Sequence, residues 1–258
     1  MQFWLCTNER ITVFNESKVM PAAMCLALML ILTTGVCLAG EELITTAQYK
    51  NGKVIPYILN YQDLSPQYAI ILFPGGNGYV NPHMEGDKLV YNLEKNFLLR
   101  SRKFIVDDEF VTVTTDSSDS PDRIQAIIDD LKRRFSGVQI YLMGTSNGTI
   151  STIALGEYLS DKIAGEIHTS SRASIASFDA KKYMNRHLVV HHQFDSCSVT
   201  PLYAAKKSHQ KYGTDLLIMT GGKDEGNPCQ ALSHHGYNGI ERETIDAIKK
   251  WIKQSRNY

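Results

Sequence analysis

From residue 43 onward, two rhythms of apolar and polar positions alternate along the chain. Short strand-like runs occur at 68–73, 110–115, 138–143, 163–169, 187–192 and 215–220, the first and third almost wholly apolar. They predict strands buried on both faces. Between them, residues 87–100, 120–135, 149–159, 201–212 and 240–253 predict helices. The clearest is 120–135, where Pro121 suits the first turn and Ile124, Ile127, Ile128 and Leu131 share one face. Upstream, segments 43–49 and 53–59 flank Asn51-Gly52, a dipeptide suited to a hairpin turn. Strands alternating with helices behind an opening hairpin predict a mostly parallel α/β sheet of about eight strands, covered on both faces. No internal repeat, low-complexity tract or linker divides residues 40–258, which read as one domain.

Residues 22–39 break both rhythms. The run AAMCLALMLILTTGVCLA carries no charge, follows Arg10 and Lys18, and gives way to Gly40 and the acidic pair Glu41-Glu42. It predicts a secretory signal peptide within residues 1–39, cleaved near Ala39 or Gly40. The other reading is an uncleaved anchor, since about 18 apolar residues just span a bilayer. Export to the periplasm or the medium is the expectation, with membrane contact only if the segment is retained. Of five cysteines, Cys6, Cys25 and Cys37 lie in the segment expected to be removed. Cys197 and Cys229 remain, and two cysteines in an oxidising compartment predict one disulfide. The composition is 43% hydrophobic, with 27 basic and 27 acidic residues and no basic stripe. That suits a domain with a sizeable core and excludes a nucleic-acid binder on charge.

The candidate chemistry begins where residues 138–143 run into Gly144-Thr145-Ser146-Asn147-Gly148. A strand entering Gly-x-Ser-x-Gly and leaving as a helix is the local context of a nucleophile elbow. The glycines remove side chains where strand, turn and helix crowd together. The helix then starts at the serine, aiming backbone N–H groups and the positive end of its dipole at the hydroxyl.

On the elbow and the order of the segments after it, the sequence resembles the serine hydrolases of the α/β-hydrolase superfamily over nearly all of residues 40–258. The resemblance implies a chain order of serine, acid, histidine. Strand 188–192 leads to Asp195, where the family's acid would stand, and the loop 221–236 carries His234-His235-Gly236. Similarity to the family pattern favours His235 as the base; His234 is the alternative, and Asp179, Asp224 or Glu225 are alternative acids. One oxyanion donor would be the Asn147 N–H. The second would come from the loop Pro74-Gly75-Gly76-Asn77-Gly78, through Gly76 or Asn77. His191 and His192 point to opposite faces of a strand, which argues against a shared metal, and no metal or organic cofactor is implied. His83, His168, His187 and His209 read as structural or surface residues. About seventeen residues separate the strands ending near Thr169 and starting near His187, too few for a lid. An open site of this kind predicts hydrolysis of a carboxylic ester, a thioester or an amide, on a small-molecule or acylated substrate. An acyltransferase, a serine peptidase or a non-catalytic binding module on the same fold are the alternatives.

Overall fold

A computed structural model describes residues 41–254; the apolar run 22–39, the expected cleavage point and Cys6, Cys25 and Cys37 lie outside the described residues. β1 (Glu41–Gln48) and β2 (Val54–Tyr61) form the opening antiparallel hairpin, paired from Glu41 opposite Tyr61 to Gln48 opposite Val54. In their connection Asn51 and Gly52 both take positive φ, 58° and 73°, the conformation for which the Asn-Gly dipeptide is suited. β3 (Tyr68–Phe73) follows, then a small hairpin of β4 (His83–Glu85) and β5 (Lys88–Val90), and α1 (Phe97–Ile105). The remainder alternates: β6 (Phe110–Thr114), α2 (Pro121–Arg134), β7 (Gln139–Thr145), α3 (Gly148–Leu159), β8 (Gly165–Thr169), β9 (Arg186–His192), α4 (Leu202–Tyr212), β10 (Asp215–Met219) and α5 (Glu241–Lys253).

One expected element is replaced. Residues 87–100 do not form a single helix. Gly86, at φ 59°, turns the chain between β4 and β5, and Leu93 sits at φ 65°, outside the helical region. The helix begins only after Asn96, whose side chain accepts the Leu98 N–H at 3.0 Å and so caps α1.

The eight-stranded sheet has the order β1-β2-β6-β3-β7-β8-β9-β10. β2 runs antiparallel to both neighbours, and all pairs from β6 to β10 are parallel. Side chains alternate across it. Ile71, Val113 and Leu142 face α2 and α3, packing with Ile124, Ile127 and Leu155. Ile70, Leu72, Met143 and Ile167 face α1 and α5, packing with Leu98, Ile245 and Trp251. α4 covers β9 through Val189, Ala204 and Ala205. On the α3 side of β8 the pattern turns polar: Glu166 and His168 are fully buried there, flanking Ile167, which faces the other way. Burial pushes the Glu166 carboxyl up to about 8 and the His168 imidazole down to about 3.

β3 and β7 are neighbours, and the chain leaves β3 toward β6 on one side and β7 toward β8 on the other. The loops after β3 and β7 therefore sit side by side at the carboxyl ends of the strands, where open α/β sheets form their clefts.

Candidate active site

Ser146 occupies the turn between β7 and α3 at φ 52°, a left-handed conformation that costs energy for any residue with a Cβ. Three bonds hold it there. The Ser146 N–H donates to the Thr169 carbonyl at 3.1 Å, while the Ser146 carbonyl accepts from the Thr149 N–H at 3.0 Å and the Thr149 hydroxyl at 2.6 Å. Both flanking glycines are required by contact. A Cβ on Gly144 would lie 2.5 Å from the Gly148 carbonyl oxygen, and one on Gly148 would lie 2.0 Å from that of Phe73. The hydroxyl is thus presented by a backbone that larger residues could not follow.

The loop after β3 packs directly on this turn, with an added Cβ on Gly75 meeting the Ser146 Cβ at 2.9 Å. Asn147 pins it: its Nδ2 donates to the Gly76 carbonyl at 2.8 Å, and its Oδ1 accepts from Arg172 Nη1 at 3.1 Å. The backbone N–H of Asn147 donates no hydrogen bond to the described residues, nor does that of Gly76. Of the two candidates in the loop, Gly76 lines the cavity that holds Ser146 and His235, whereas Asn77 does not and accepts the Tyr79 N–H at 3.1 Å.

Asp195 and His235, forty positions apart, meet with His235 Nδ1 3.0 Å from Asp195 Oδ2. The carboxylate is fixed on its other side, Oδ1 accepting the Cys197 N–H at 2.9 Å. Thr200 completes the group: its Oγ1 donates to Asp195 Oδ2 and lies 3.1 Å from both that oxygen and His235 Nδ1. Behind Asp195, His191 Nε2 is 3.6 Å from Oδ2, and burial pushes this imidazole down to about 4. Burial thus disfavours a charged imidazolium beside this carboxylate. The loop that carries His235 is anchored from below. Ser170 Oγ donates to the His235 carbonyl at 2.8 Å, and the buried Tyr237 hydroxyl accepts the Ser170 N–H at 3.0 Å and donates to the Val190 carbonyl at 2.8 Å.

The alternative residues lie elsewhere. His234 stacks on His192 with ring centroids 4.2 Å apart, and its N–H donates to Asp224 Oδ1 at 3.2 Å. Asp179 caps a short turn by accepting the Lys181 N–H, and Glu225 is exposed. None of these carboxylates reaches His235. Thr200, Ser170 and Arg172 carry no sequence pattern that marks them; only Tyr237, the aromatic after His235-Gly236, belongs to a pattern visible in the chain.

Ser146 and His235 share a cavity of about 220 Å³, also lined by Gly75, Leu93, Phe97 and Gln230. They make no direct hydrogen bond; in unliganded sites such contacts are commonly long and tighten on substrate. A larger cavity of about 610 Å³ lies near Glu42, Tyr91 and Arg102, and it contains no serine or histidine.

Cys197 and Cys229 form a disulfide. It joins the loop of Asp195 to the loop leading to His235, and Cys229 lines the cavity itself. Chain-entropy arithmetic for a separation of 32 residues gives about 3.5 kcal/mol. Cys197→Ser is expected to lower stability toward that amount and to cut turnover more than an equally destabilising change far from the site. Thiol titration of the unfolded, non-reduced protein tests the bond directly; two free thiols there would remove it.

No family model matches the chain, and no curated protein matches it in sequence. Solved structures match in fold. A serine hydrolase without a lid from Xanthomonas campestris superposes over 83% of this chain and 97% of its own, at 12% identity and a TM-score of 0.55. The protein Est1E from Butyrivibrio proteoclasticus does so over 83% and 98%, at 16% identity and a TM-score of 0.57. The fold is that of the α/β hydrolases. A cold-adapted esterase from an Arctic intertidal metagenomic library shares it too, over 83% and 94%, at 12% identity and a TM-score of 0.58. In this α/β-hydrolase frame Ser146 follows β7 near the centre of the sheet, and Asp195 and His235 follow β9 and β10.

Proposed function

We propose that this chain is a serine hydrolase that cleaves carboxylic esters through an acyl-enzyme on Ser146. The observation that carries the reading is the Asp195–His235 hydrogen bond at the rim of the cavity in which the strained Ser146 turn is presented. His235 Nδ1–H donates to Asp195, which leaves a lone pair on Nε2 for the serine proton. Ser146 Oγ attacks the ester carbonyl carbon as its proton passes to His235 Nε2. The carbonyl oxygen becomes an oxyanion facing the N–H groups of Asn147 and Gly76, each such donor worth about 3 kcal/mol. His235 returns the proton to the departing alkoxide, and the acyl group stays on Ser146. Water, deprotonated by the same imidazole, then releases the acid and restores the serine.

The short connection 170–185 between β8 and β9 contains only brief 3-10 turns, Ala173–Ser177 and Ala180–Lys182, so no helical cap is built there. That favours short acyl groups or part of a larger ester over long chains that need apolar shelter. A fluorophosphonate probe, followed by peptide mapping, tests the class: labelling on Ser146 is expected, and an unlabelled, folded protein would refute it. A panel of esters, thioesters and amides then sets the acyl class, with esters turned over fastest.

The site is expected to work outside the cytoplasm. The apolar run 22–39 and a disulfide between the two catalytic loops both support export. No helix among the described residues is long and apolar enough to cross a membrane. Intact-mass analysis of protein from the periplasm or medium should give an N-terminus near residue 40. A mass that retains residues 1–39 would favour an anchor instead.

A further inference from the structure

Beneath α3, away from the reactive serine, three side chains converge in the dry interior. Glu166 and His168 project from β8 and His187 from β9, and all three are buried. His168 Nε2 and His187 Nδ1 each lie 3.8 Å from Glu166 Oε2, and the three atoms are within 4.8 Å of one another. Glu166 Oε2 and His168 Nε2 have no hydrogen-bond partner among the described residues. Two imidazoles and a carboxylate occupying positions where the rest of this sheet face carries Leu142 and Val189 call for a reason beyond packing.

The proton positions sharpen the case. The Thr152 hydroxyl donates to the Thr149 carbonyl at 3.2 Å, so its oxygen accepts from His168 Nδ1 at 2.9 Å. That leaves the lone pair of His168 on Nε2. Asn185 Oδ1 accepts from His187 Nε2 at 3.0 Å, which places the lone pair of His187 on Nδ1. The same Asn185 donates through Nδ2 to Glu166 Oε1 at 3.4 Å, so Oε2 is the oxygen turned to the imidazoles. Glu166, His168 and His187 thus each place a possible ligand atom within 4.8 Å of the others. At 3.8 Å, a single proton on the carboxyl cannot form a hydrogen bond to either ring.

We propose that Glu166, His168 and His187 form a buried site for a divalent transition-metal ion, best suited to zinc, that ties β8 to β9 under α3. Two imidazole nitrogens and one carboxylate oxygen are the ligand types zinc takes, at about 2.1 Å. An ion at that distance from two donors 3.8 Å apart opens their angle to about 130°, a distorted tetrahedral value. The outer shell is of the kind metal sites use, each imidazole bonding a second polar group through its other nitrogen. Gly156 makes room for the carboxylate, since a Cβ there would lie 2.7 Å from Glu166 Oε1. Phe178 packs edge-on against both rings, with centroids 5.7 and 5.1 Å away, and helps to close the site to water. A site so enclosed loads as the chain folds, and its role is structural.

The test is a refolding experiment on the purified protein with its disulfide intact. The chain is unfolded in guanidinium with a chelator, refolded with or without zinc sulfate, desalted, and assayed for metal content and Tm. The wild type should retain about one zinc per chain and gain at least about 5 °C in Tm over the metal-free sample. Glu166→Gln and His168→Gln, refolded in parallel, should retain less than about a tenth of an equivalent and show no zinc-dependent shift. Wild-type protein that refolds without bound zinc and with an unchanged Tm would overturn the site. So would zinc retained equally by the two variants, which would place it on surface histidines.

Discussion

Ser146→Ala is expected to lower kcat by at least about a thousandfold while leaving the fold in place. The loss is large because, on the proposed mechanism, the serine oxygen is the atom that bonds the substrate. The fold survives because the turn is held by backbone groups, the Ser146 N–H on Thr169 and its carbonyl on Thr149, and none of these involves Oγ. Alanine has the same Cβ and the same strain at φ 52°. Residual activity above that of buffer would reflect the Asn147 and Gly76 amides, which remain. Circular dichroism and Tm establish folding, and steady-state kinetics on the best ester give the loss. Turnover within tenfold of wild type in a folded variant would move the nucleophile elsewhere.

Asp195→Asn should be nearly as severe, on the order of ten-thousandfold in kcat, although it changes one atom. The carboxylate accepts on both oxygens, from Cys197 N–H at Oδ1 and from Thr200 Oγ1 and His235 Nδ1 at Oδ2. An amide offers one acceptor only. Keeping its oxygen on the Cys197 N–H turns the NH2 toward His235 and favours the tautomer with the proton on Nε2. That nitrogen then has no lone pair for the Ser146 proton. Asp224→Asn, which touches His234 instead, should stay near wild-type rates. The reverse result, an active Asp195→Asn beside a dead Asp224→Asn, would reassign the acid while leaving the serine in place.

The features legible in the chain are local in sequence. The elbow announces itself because strand, Gly-x-Ser-x-Gly and helix are contiguous, and each glycine answers a clash within a few residues of itself or with β3. The hairpin at Asn51-Gly52 and the helix at Pro121–Arg134 are legible for the same reason. Residues 87–100 mislead because their apolar spacing suits a helix, while the deciding signals are the turn at Gly86 and the cap at Asn96. Thr200 and Ser170 are invisible because their contacts with His235 span 35 and 65 positions, and neither residue type implies such a partner. His168 and His187 resemble ordinary structural or surface histidines. Their convergence on Glu166 depends on how β8 registers with β9, which the sequence of either strand alone does not state.

The brief 3-10 turns of residues 170–185 bear on the fate of the acyl group as well as on its size. On the proposed mechanism, an acyl group on Ser146 lies under no helical cap from residues 170–185. Water then competes for it without needing a binding site, so any other acceptor must win by concentration or by a contact of its own. Partitioning experiments with added alcohols or hydroxylamine should therefore show product ratios that follow acceptor concentration linearly, with no plateau. On the proposed mechanism, that access of water favours hydrolysis over acyl transfer, whatever alcohol first departs.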